Sequence, residues 1–115
     1  MLLSGDWIPL ELPRKIRNCF PAAKVCSLGG ATEASIWSIY YPIDEVQPAW
    51  NSIPYGYPLA NQTIYVLNAA GEICPAGVQG EICIGGRGIA KEYCANPKET
   101  EAHYFQHPQF GRLYR

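Results

Sequence analysis

Hydrophobic and polar residues change their spacing twice along this chain. After two adjacent leucines near the start, apolar residues recur at every fourth position between Pro9 and Phe20. This spacing predicts an amphipathic helix that begins at Pro9 or at Pro13. A short strand over 24–28 and a short helix over 33–39 follow. The first part of the chain therefore predicts a strand–helix–strand–loop–helix order, in which functional residues follow the ends of parallel strands.

A proline-rich connection separates this part from a second pattern. Residues 41–59 contain four prolines and one glycine, which excludes a long helix. Apolar and polar residues then alternate over 63–67, as in a strand. Turn residues at 68–71 predict a hairpin whose return strand begins at Glu72, and a third strand follows over 80–85.

A helix capped by Asn96, with Pro97 at its first position, closes the pattern. We therefore predict an α/β fold in which residues 1–45 end an α/β subdomain and residues 46–115 form a β-rich subdomain. The chain starts inside an apparent strand and stops in mid-pattern, so we expect it to be an excerpt of a longer protein.

The composition excludes several classes of protein. Of the 115 residues, 48% are hydrophobic, which is enough for a core. The net charge is −1 without a basic block, so nucleic acid is not expected as a partner. The five cysteines form no C-x-x-C pair, which predicts buried, reduced thiols in the cytoplasm. Neither a signal peptide nor an apolar run of about 20 residues is present, so we expect no membrane association.

The chemistry concentrates in a turn of small residues, 27–33, that ends in Thr32 and Glu33. Backbone N–H groups at such a turn can hold an anion, and the hydroxyl and carboxylate can hold phosphate and a hard cation. Glu33 could instead be an acid that the helix dipole favours. The glycine cluster 85–88 lacks the lysine of a phosphate loop, which favours a strand end or bulge.

Four ordered segments resemble the adenylation domains of nonribosomal peptide synthetases, which belong to the adenylate-forming enzymes. Residues 27–33 are similar to N-x-Y-G-P-T-E, and residues 80–97 to G-E-L-x-I-x-G-x-G-V-A-x-G-Y-x-x-x-P. Residues 53–67 resemble the link between these motifs, and residues 110–115 the start of Y-R-T-G-D. The resemblance implies a fragment of the large N-terminal domain: the end of its α/β subdomain and a distorted β-barrel.

The resemblance also implies ATP and Mg²⁺ as ligands. A substrate carboxylate attacks the α-phosphate of ATP, pyrophosphate leaves, and an acyl-adenylate remains. The catalytic residues that the resemblance implies are Thr32, expected to contact phosphate, and Glu33, expected to ligate Mg²⁺. The residues implied in ATP or AMP binding are Gly5, Asp6, Ser27, Leu28, Gly29, Gly30 and Thr32.

The substrate implied is an amino acid, most specifically cysteine. The positions that resemble the pocket pattern of cysteine-activating domains are Leu2, Ser4, Leu28, Ile36 and Trp37. Bulky apolar side chains with a single hydroxyl suit a short thiol side chain and exclude an aromatic or charged one. Trp37 could also be an ordinary core aromatic. The partners implied are a carrier protein with its phosphopantetheine and the condensation or cyclisation domains of the parent synthetase.

Some positions depart from the family pattern. Gly29 stands where the family has the aromatic residue that stacks on adenine, and Ser27 replaces an asparagine. Ala31 replaces a proline and Glu92 a glycine. Two alternatives stay open: a stand-alone acyl- or aryl-CoA ligase of the same superfamily, and a non-catalytic β-rich interaction module. We expect the isolated chain to be inactive, because the phosphate loop, the ribose-binding aspartate and the catalytic lysine are missing from it.

Overall fold

The computed structural model describes residues 1–115 and contains two α-helices, one 3-10 turn and two four-stranded sheets. Two compact units share the chain: Met1–Gly29 with Ile39–Tyr57, and Gly30–Ser38 with Pro58–Arg115. The predicted subdomain boundary after residue 45 stays a prediction. In chain order the elements are β1 (Leu2–Leu3), α1 (Leu12–Cys19), β2 (Cys26–Gly29), the 3-10 turn (Thr32–Ala34), β3 (Ile39–Pro42), β4 (Tyr57–Pro58), β5 (Gln62–Leu67), β6 (Glu81–Gly86), α2 (Pro97–His103), β7 (Tyr104–His107) and β8 (Gly111–Tyr114).

The first unit is built on a mixed sheet in the order β1-β2-β3-β4. β1 pairs with β2 in parallel, β2 pairs with β3 antiparallel, and α1 lies between β1 and β2 in sequence. Pro13 fits the first turn of α1, where an N–H would have no helical partner. The core of this unit contains Ile16, Val25 and Ile43. Phe20 lies beyond the last helical residue and is exposed, so the predicted apolar stripe is one residue shorter than expected.

The predicted helix over 33–39 is wrong. Only the 3-10 turn forms, because Ser35 (φ 64°) and Ile36 (φ 68°) adopt left-handed backbone conformations that no α-helix contains. The amides of Ala34 and Ile36 both donate to the carbonyl of Ala31. The chain then reverses and enters β3 at Ile39.

The second unit contains an antiparallel sheet in the order β5-β6-β8-β7. The core on one of its faces consists of Leu67, Cys83 and Leu113, with Tyr65, Phe105 and Phe110 packed around them. The β-rich character of this part is therefore confirmed as an antiparallel sheet. Its closure into a barrel stays a prediction.

The hairpin in this unit differs from the predicted one. A return strand at Glu72 does not form, and only a single bridge joins Leu67 to Ile73. The side chain of Asn68 accepts hydrogen bonds from the amides of Ala70 and Glu72, at 2.9 Å each, and closes the turn locally. The partner of β5 is β6 instead. Strands β7 (Tyr104–His107) and β8 (Gly111–Tyr114) were not predicted.

The closing helix is confirmed. The side chain of Asn96 accepts a hydrogen bond from the amide of Glu99 at 3.3 Å, and Pro97 opens α2. All five cysteines are free, but burial is correct only for Cys83: Cys19 and Cys94 are exposed, and the other two are half-buried. No helix combines the length and the apolar character that crossing a bilayer requires.

Candidate functional site

The segment Gly30–Ser38, which belongs to the second unit, is a tight loop with little room for change. A Cβ on Gly30 would lie 2.6 Å from the amide nitrogen of Ser38 and 2.8 Å from the carbonyl oxygen of Ile36. The backbone of Gly30 also has φ +150°, a conformation that side chains rarely adopt. Only glycine therefore allows the two ends of this loop to approach each other so closely.

Two consecutive non-glycine residues with positive φ, Ser35 and Ile36, strain the same loop. Hydrogen bonds from elsewhere in the unit hold it: Ser35 Oγ donates to the carbonyl of Gly88 at 2.8 Å. The Gln62 side chain lies 3.2 Å from the carbonyl oxygen of Ala34, to which its amide donates. Ala34 is fully buried. The surroundings therefore maintain a backbone conformation that the loop would not adopt by itself.

Glu33 lies in the middle of the 3-10 turn and is half-buried. Its Oε1 atom accepts a hydrogen bond from the hydroxyl of Tyr93, with 2.5 Å between the oxygens. Its carbonyl oxygen accepts from the amide of Ala90 at 2.7 Å. The hydrogen bond from Tyr93, followed by one from its own backbone, lowers the pKa of Glu33, while burial opposes this shift. The same bond raises the pKa of Tyr93. Glu33 is therefore an ionised carboxylate at neutral pH.

The donor set at Glu33 fits magnesium bound together with phosphates. No group of three or more histidine, cysteine or acidic side chains that could hold a metal exists in the chain. A protein cage for a metal is therefore absent, whereas Mg²⁺ in nucleotide sites uses one or two carboxylates and takes its other ligands from phosphates and water. Thr32, the first residue of the 3-10 turn, is exposed beside Glu33 in sequence. One ionised carboxylate and one accessible hydroxyl thus occur on the same turn.

The remaining predicted residues divide between the two units. In the second unit, Ile36 and Trp37 are 64% and 40% exposed, so Trp37 is not a core aromatic within this unit. In the first unit, Leu2 is exposed and Leu28 is buried on β2. The other first-unit candidates are exposed Ser4, Gly5 and Asp6, buried Ser27 and half-buried Gly29.

Gly29, at the end of β2, has no space for a side chain. A Cβ there would lie 2.9 Å from Ile39 Cδ1 and 3.3 Å from Cε2 of Tyr55. The ring of Tyr55 therefore lies directly beside this glycine, and it is 45% exposed. The first unit thus presents an aromatic surface next to position 29, although position 29 itself carries none.

Sequence reasoning did not identify two of these residues. Tyr55 lies 26 positions after Gly29, in the proline-rich connection, and no local pattern links the two. Tyr93 lies inside the second glycine-rich motif, and the sequence predicts no role for it beyond its place in that motif. The one hint in the sequence is that both motifs carry polar groups after predicted strands, where tertiary contacts can bring such groups together.

Comparisons with known proteins identify the family. The model of the AMP-binding enzyme family matches residues 1–94. The whole chain is 57% identical to a part of bacitracin synthase 1 of Bacillus licheniformis and 49% identical to a part of pyochelin synthetase PchF of Pseudomonas aeruginosa (strain UCBPP-PA14). It spans only 2% and 6% of the lengths of these two proteins.

A solved structure agrees with these matches. The crystal structure of the nonribosomal peptide synthetase FmoA3 bound to alpha-methyl-L-serine-AMP superposes on 98% of this chain, with a TM-score of 0.94 and 40% sequence identity. The chain covers 13% of that protein. The matching segments of sequence and fold together show that this chain belongs to the AMP-binding enzyme family.

Proposed function

We propose that the protein containing this chain activates an amino acid as aminoacyl-AMP, and that the chain contributes part of its nucleotide, metal and substrate sites. The observation that carries this proposal is the ionised Glu33 on the strained turn after β2. The likeness to FmoA3, which binds an aminoacyl adenylate in its crystal structure, supports the same reaction. In that reaction a carboxylate oxygen attacks the α-phosphorus of ATP, and the bond to the leaving pyrophosphate breaks.

Glu33 is the proposed ligand of Mg²⁺. When bound, the ion supplies positive charge that offsets repulsion between the ATP phosphates and the substrate carboxylate. The hydrogen bond from Tyr93 favours the charged form of Glu33, and the amide of Ala90 holds its carbonyl oxygen in place. Thr32 is the proposed phosphate contact through its hydroxyl. Fixed groups of this kind accelerate phosphoryl and adenylyl transfer by positioning rather than by covalent chemistry.

The nucleotide and substrate assignments rest mainly on the sequence motifs. We propose that the nucleotide contacts in the first unit come from residues before α1 and at the end of β2, namely Gly5, Asp6, Ser27, Leu28 and Gly29. Gly30 and Thr32 are further proposed nucleotide contacts. The proposed contacts to the amino acid are Leu2, Ser4, Leu28, Ile36 and Trp37.

Cysteine is the proposed amino acid, because this combination of side chains suits a small side chain with one weakly polar atom. The aminoacyl group would then pass to the phosphopantetheine thiol of a carrier protein in the parent synthetase, next to condensation or cyclisation domains. The cytoplasm is the proposed compartment, and the five free cysteines support it.

Amino-acid-dependent exchange of pyrophosphate into ATP by the intact synthetase tests this function. We expect cysteine to support exchange far above serine, valine or phenylalanine. Equal exchange with phenylalanine would contradict the cysteine assignment. If no amino acid supports exchange and acyl-CoA forms from a carboxylic acid, the protein would be a stand-alone ligase instead.

The role of Glu33 has its own matched pair of variants. Glu33→Gln removes the charge with little change of shape, and we expect exchange to fall about a hundredfold. Glu101→Gln makes the same change at an exposed position of α2 and should leave exchange unaltered. Equal activity of the two variants would disprove the metal role of Glu33.

A further inference from the structure

Three hydrogen bonds connect residues 33–35, called here the Glu33 turn, to one short segment of the second motif, Gly88–Tyr93. The carbonyl of Gly88 accepts from Ser35 Oγ, the amide of Ala90 donates to the carbonyl of Glu33, and the hydroxyl of Tyr93 donates to Glu33 Oε1. The first holds the side chain of Ser35, two residues after Glu33, the second holds the carbonyl group of Glu33, and the third holds its carboxylate.

We infer that Tyr93 is a positioning residue for the carboxylate that binds the metal, and that Gly88–Tyr93 acts as a clamp on the Glu33 turn. This inference rests on the proposed function, since it takes Glu33 as the Mg²⁺ ligand. It gives a role to the segment that follows the glycine cluster 85–88, a cluster that by itself indicates only a strand end.

Tyr93 is itself well fixed. Its amide donates to Thr100 Oγ1 at 3.0 Å, so the first turns of α2 hold its backbone. Its ring meets the rings of Tyr104 and His103 edge-on, with centroid distances of 5.7 and 6.1 Å. Edge-to-face contacts at these distances are favourable and directional. The hydroxyl of Tyr93 therefore approaches Glu33 from a fixed direction.

A fixed hydroxyl restricts the carboxylate in a way that favours metal binding. A free glutamate side chain samples several rotamers, and ordering it on binding costs free energy. With Oε1 engaged by Tyr93, the carboxylate has fewer orientations to lose when a metal binds. Groups that orient a metal ligand in this way commonly change metal affinity by about 10- to 100-fold when they are removed.

The test is the affinity of the intact synthetase for Mn²⁺ in the presence of a non-hydrolysable ATP analogue, measured by electron paramagnetic resonance. This readout is independent of turnover. Tyr93→Phe removes only the hydroxyl, and we expect the dissociation constant for Mn²⁺ to rise about tenfold. Tyr104→Phe is the matched control, because the Tyr104 hydroxyl is buried without a hydrogen-bond partner. It should leave Mn²⁺ affinity unchanged.

A double-mutant cycle separates this inference from the proposed function. In a Glu33→Gln background the Tyr93→Phe change should have no further effect on Mn²⁺ affinity, because the charged metal ligand that Tyr93 positions is absent. If Tyr93→Phe impairs folding, Thr100→Val, which loosens Tyr93 without touching its hydroxyl, should weaken Mn²⁺ binding in the same direction.

Each result has a distinct meaning. If Glu33→Gln weakens Mn²⁺ binding but Tyr93→Phe behaves like Tyr104→Phe, the clamp is disproved while the metal role of Glu33 survives. If Glu33→Gln itself leaves Mn²⁺ affinity unchanged, the proposed metal site fails and the inference fails with it.

Discussion

Tyr93 donates its hydroxyl hydrogen to Oε1 of Glu33 across 60 positions of sequence, with 2.5 Å between the two oxygens. The bond joins the two motifs that stand out in the sequence, and it couples the charge of the carboxylate to the position of a ring in the second motif. The consequences of this bond, and of the other close contacts in the second unit, can be measured.

The Glu33–Tyr93 bond predicts a specific pH dependence of stability. The pKa of Glu33 is lower in the folded chain than its ordinary value of 4.5. Glu33 therefore contributes to the free energy of unfolding above its pKa in the unfolded chain, and this contribution is lost as the pH falls through its pKa in the folded chain. The pKa of Tyr93 is raised from 10.0, so its contribution is lost as the pH rises through the folded value.

Urea unfolding of the wild type and Tyr93→Phe between about pH 3 and about pH 11 checks this expectation. The stability difference between the two should be largest near neutral pH and should shrink toward both ends. Tyr104→Phe serves as the control below neutral pH, because burial also raises the pKa of Tyr104 and gives this variant an alkaline dependence of its own. A difference that does not vary with pH would mean that the bond does not stabilise the folded chain through the charge of Glu33.

Gly86 should be far less tolerant of substitution than another glycine of similar backbone conformation. Gly86 has φ +102°, and a Cβ there would collide with the carbonyl oxygen of Asn61. Gly77 has φ +83°, but nothing lies within 4 Å of its Cβ position. We expect Gly77→Ala to lower the free energy of unfolding by about 1 kcal/mol, from backbone strain alone. Gly86→Ala should lower it by about 3 kcal/mol. Equal losses would show that the backbone near Asn61 yields easily.

The five thiols should react with iodoacetamide in an order set by exposure and pKa. Burial, with a smaller effect of the Glu81 charge, raises the pKa of Cys83, and its side chain is buried. Cys19 and Cys94 are exposed. Because the thiolate is the reactive form, these two should be alkylated first and Cys83 last. Mass spectrometry of peptides from briefly treated protein gives the order. If Cys83 is labelled as fast in the native protein as in protein unfolded by urea, its burial would be contradicted.

Tyr55 should affect ATP binding if the nucleotide contacts the end of β2 as proposed. Its ring is the aromatic surface beside Gly29, and stacking of a base on an aromatic side chain is worth about 1 to 3 kcal/mol. We expect Tyr55→Leu in the intact synthetase to raise the KM for ATP about tenfold. Tyr57→Leu alters another exposed tyrosine of the first unit and is the control. Matching KM values for the two variants would exclude Tyr55 from the nucleotide site.

Local interactions explain which elements could be predicted from the sequence. Helix α2 was predicted because Asn96 and Pro97 act within a single turn of the chain. Strand β5 was predicted because alternation of apolar and polar residues is a local property of a strand. The prediction over 33–39 failed for the opposite reason. Its residues suit a short helix, but contacts with Gln62 and Gly88 hold Ser35 and Ile36 in left-handed conformations.

The residues of the candidate site likewise divide into those that the sequence predicts and those that only tertiary contacts reveal. The sequence by itself determined the family resemblance and the choice of Thr32 and Glu33 as candidate site residues, because a motif keeps its chemical groups at fixed spacing along the chain. Only the tertiary structure decided that Tyr93 binds Glu33 and that Tyr55 lies beside Gly29. Contacts between residues this far apart depend on how strands pair and loops close. Pairing between segments this far apart in sequence is a property of the whole fold, and no short pattern of residues specifies it.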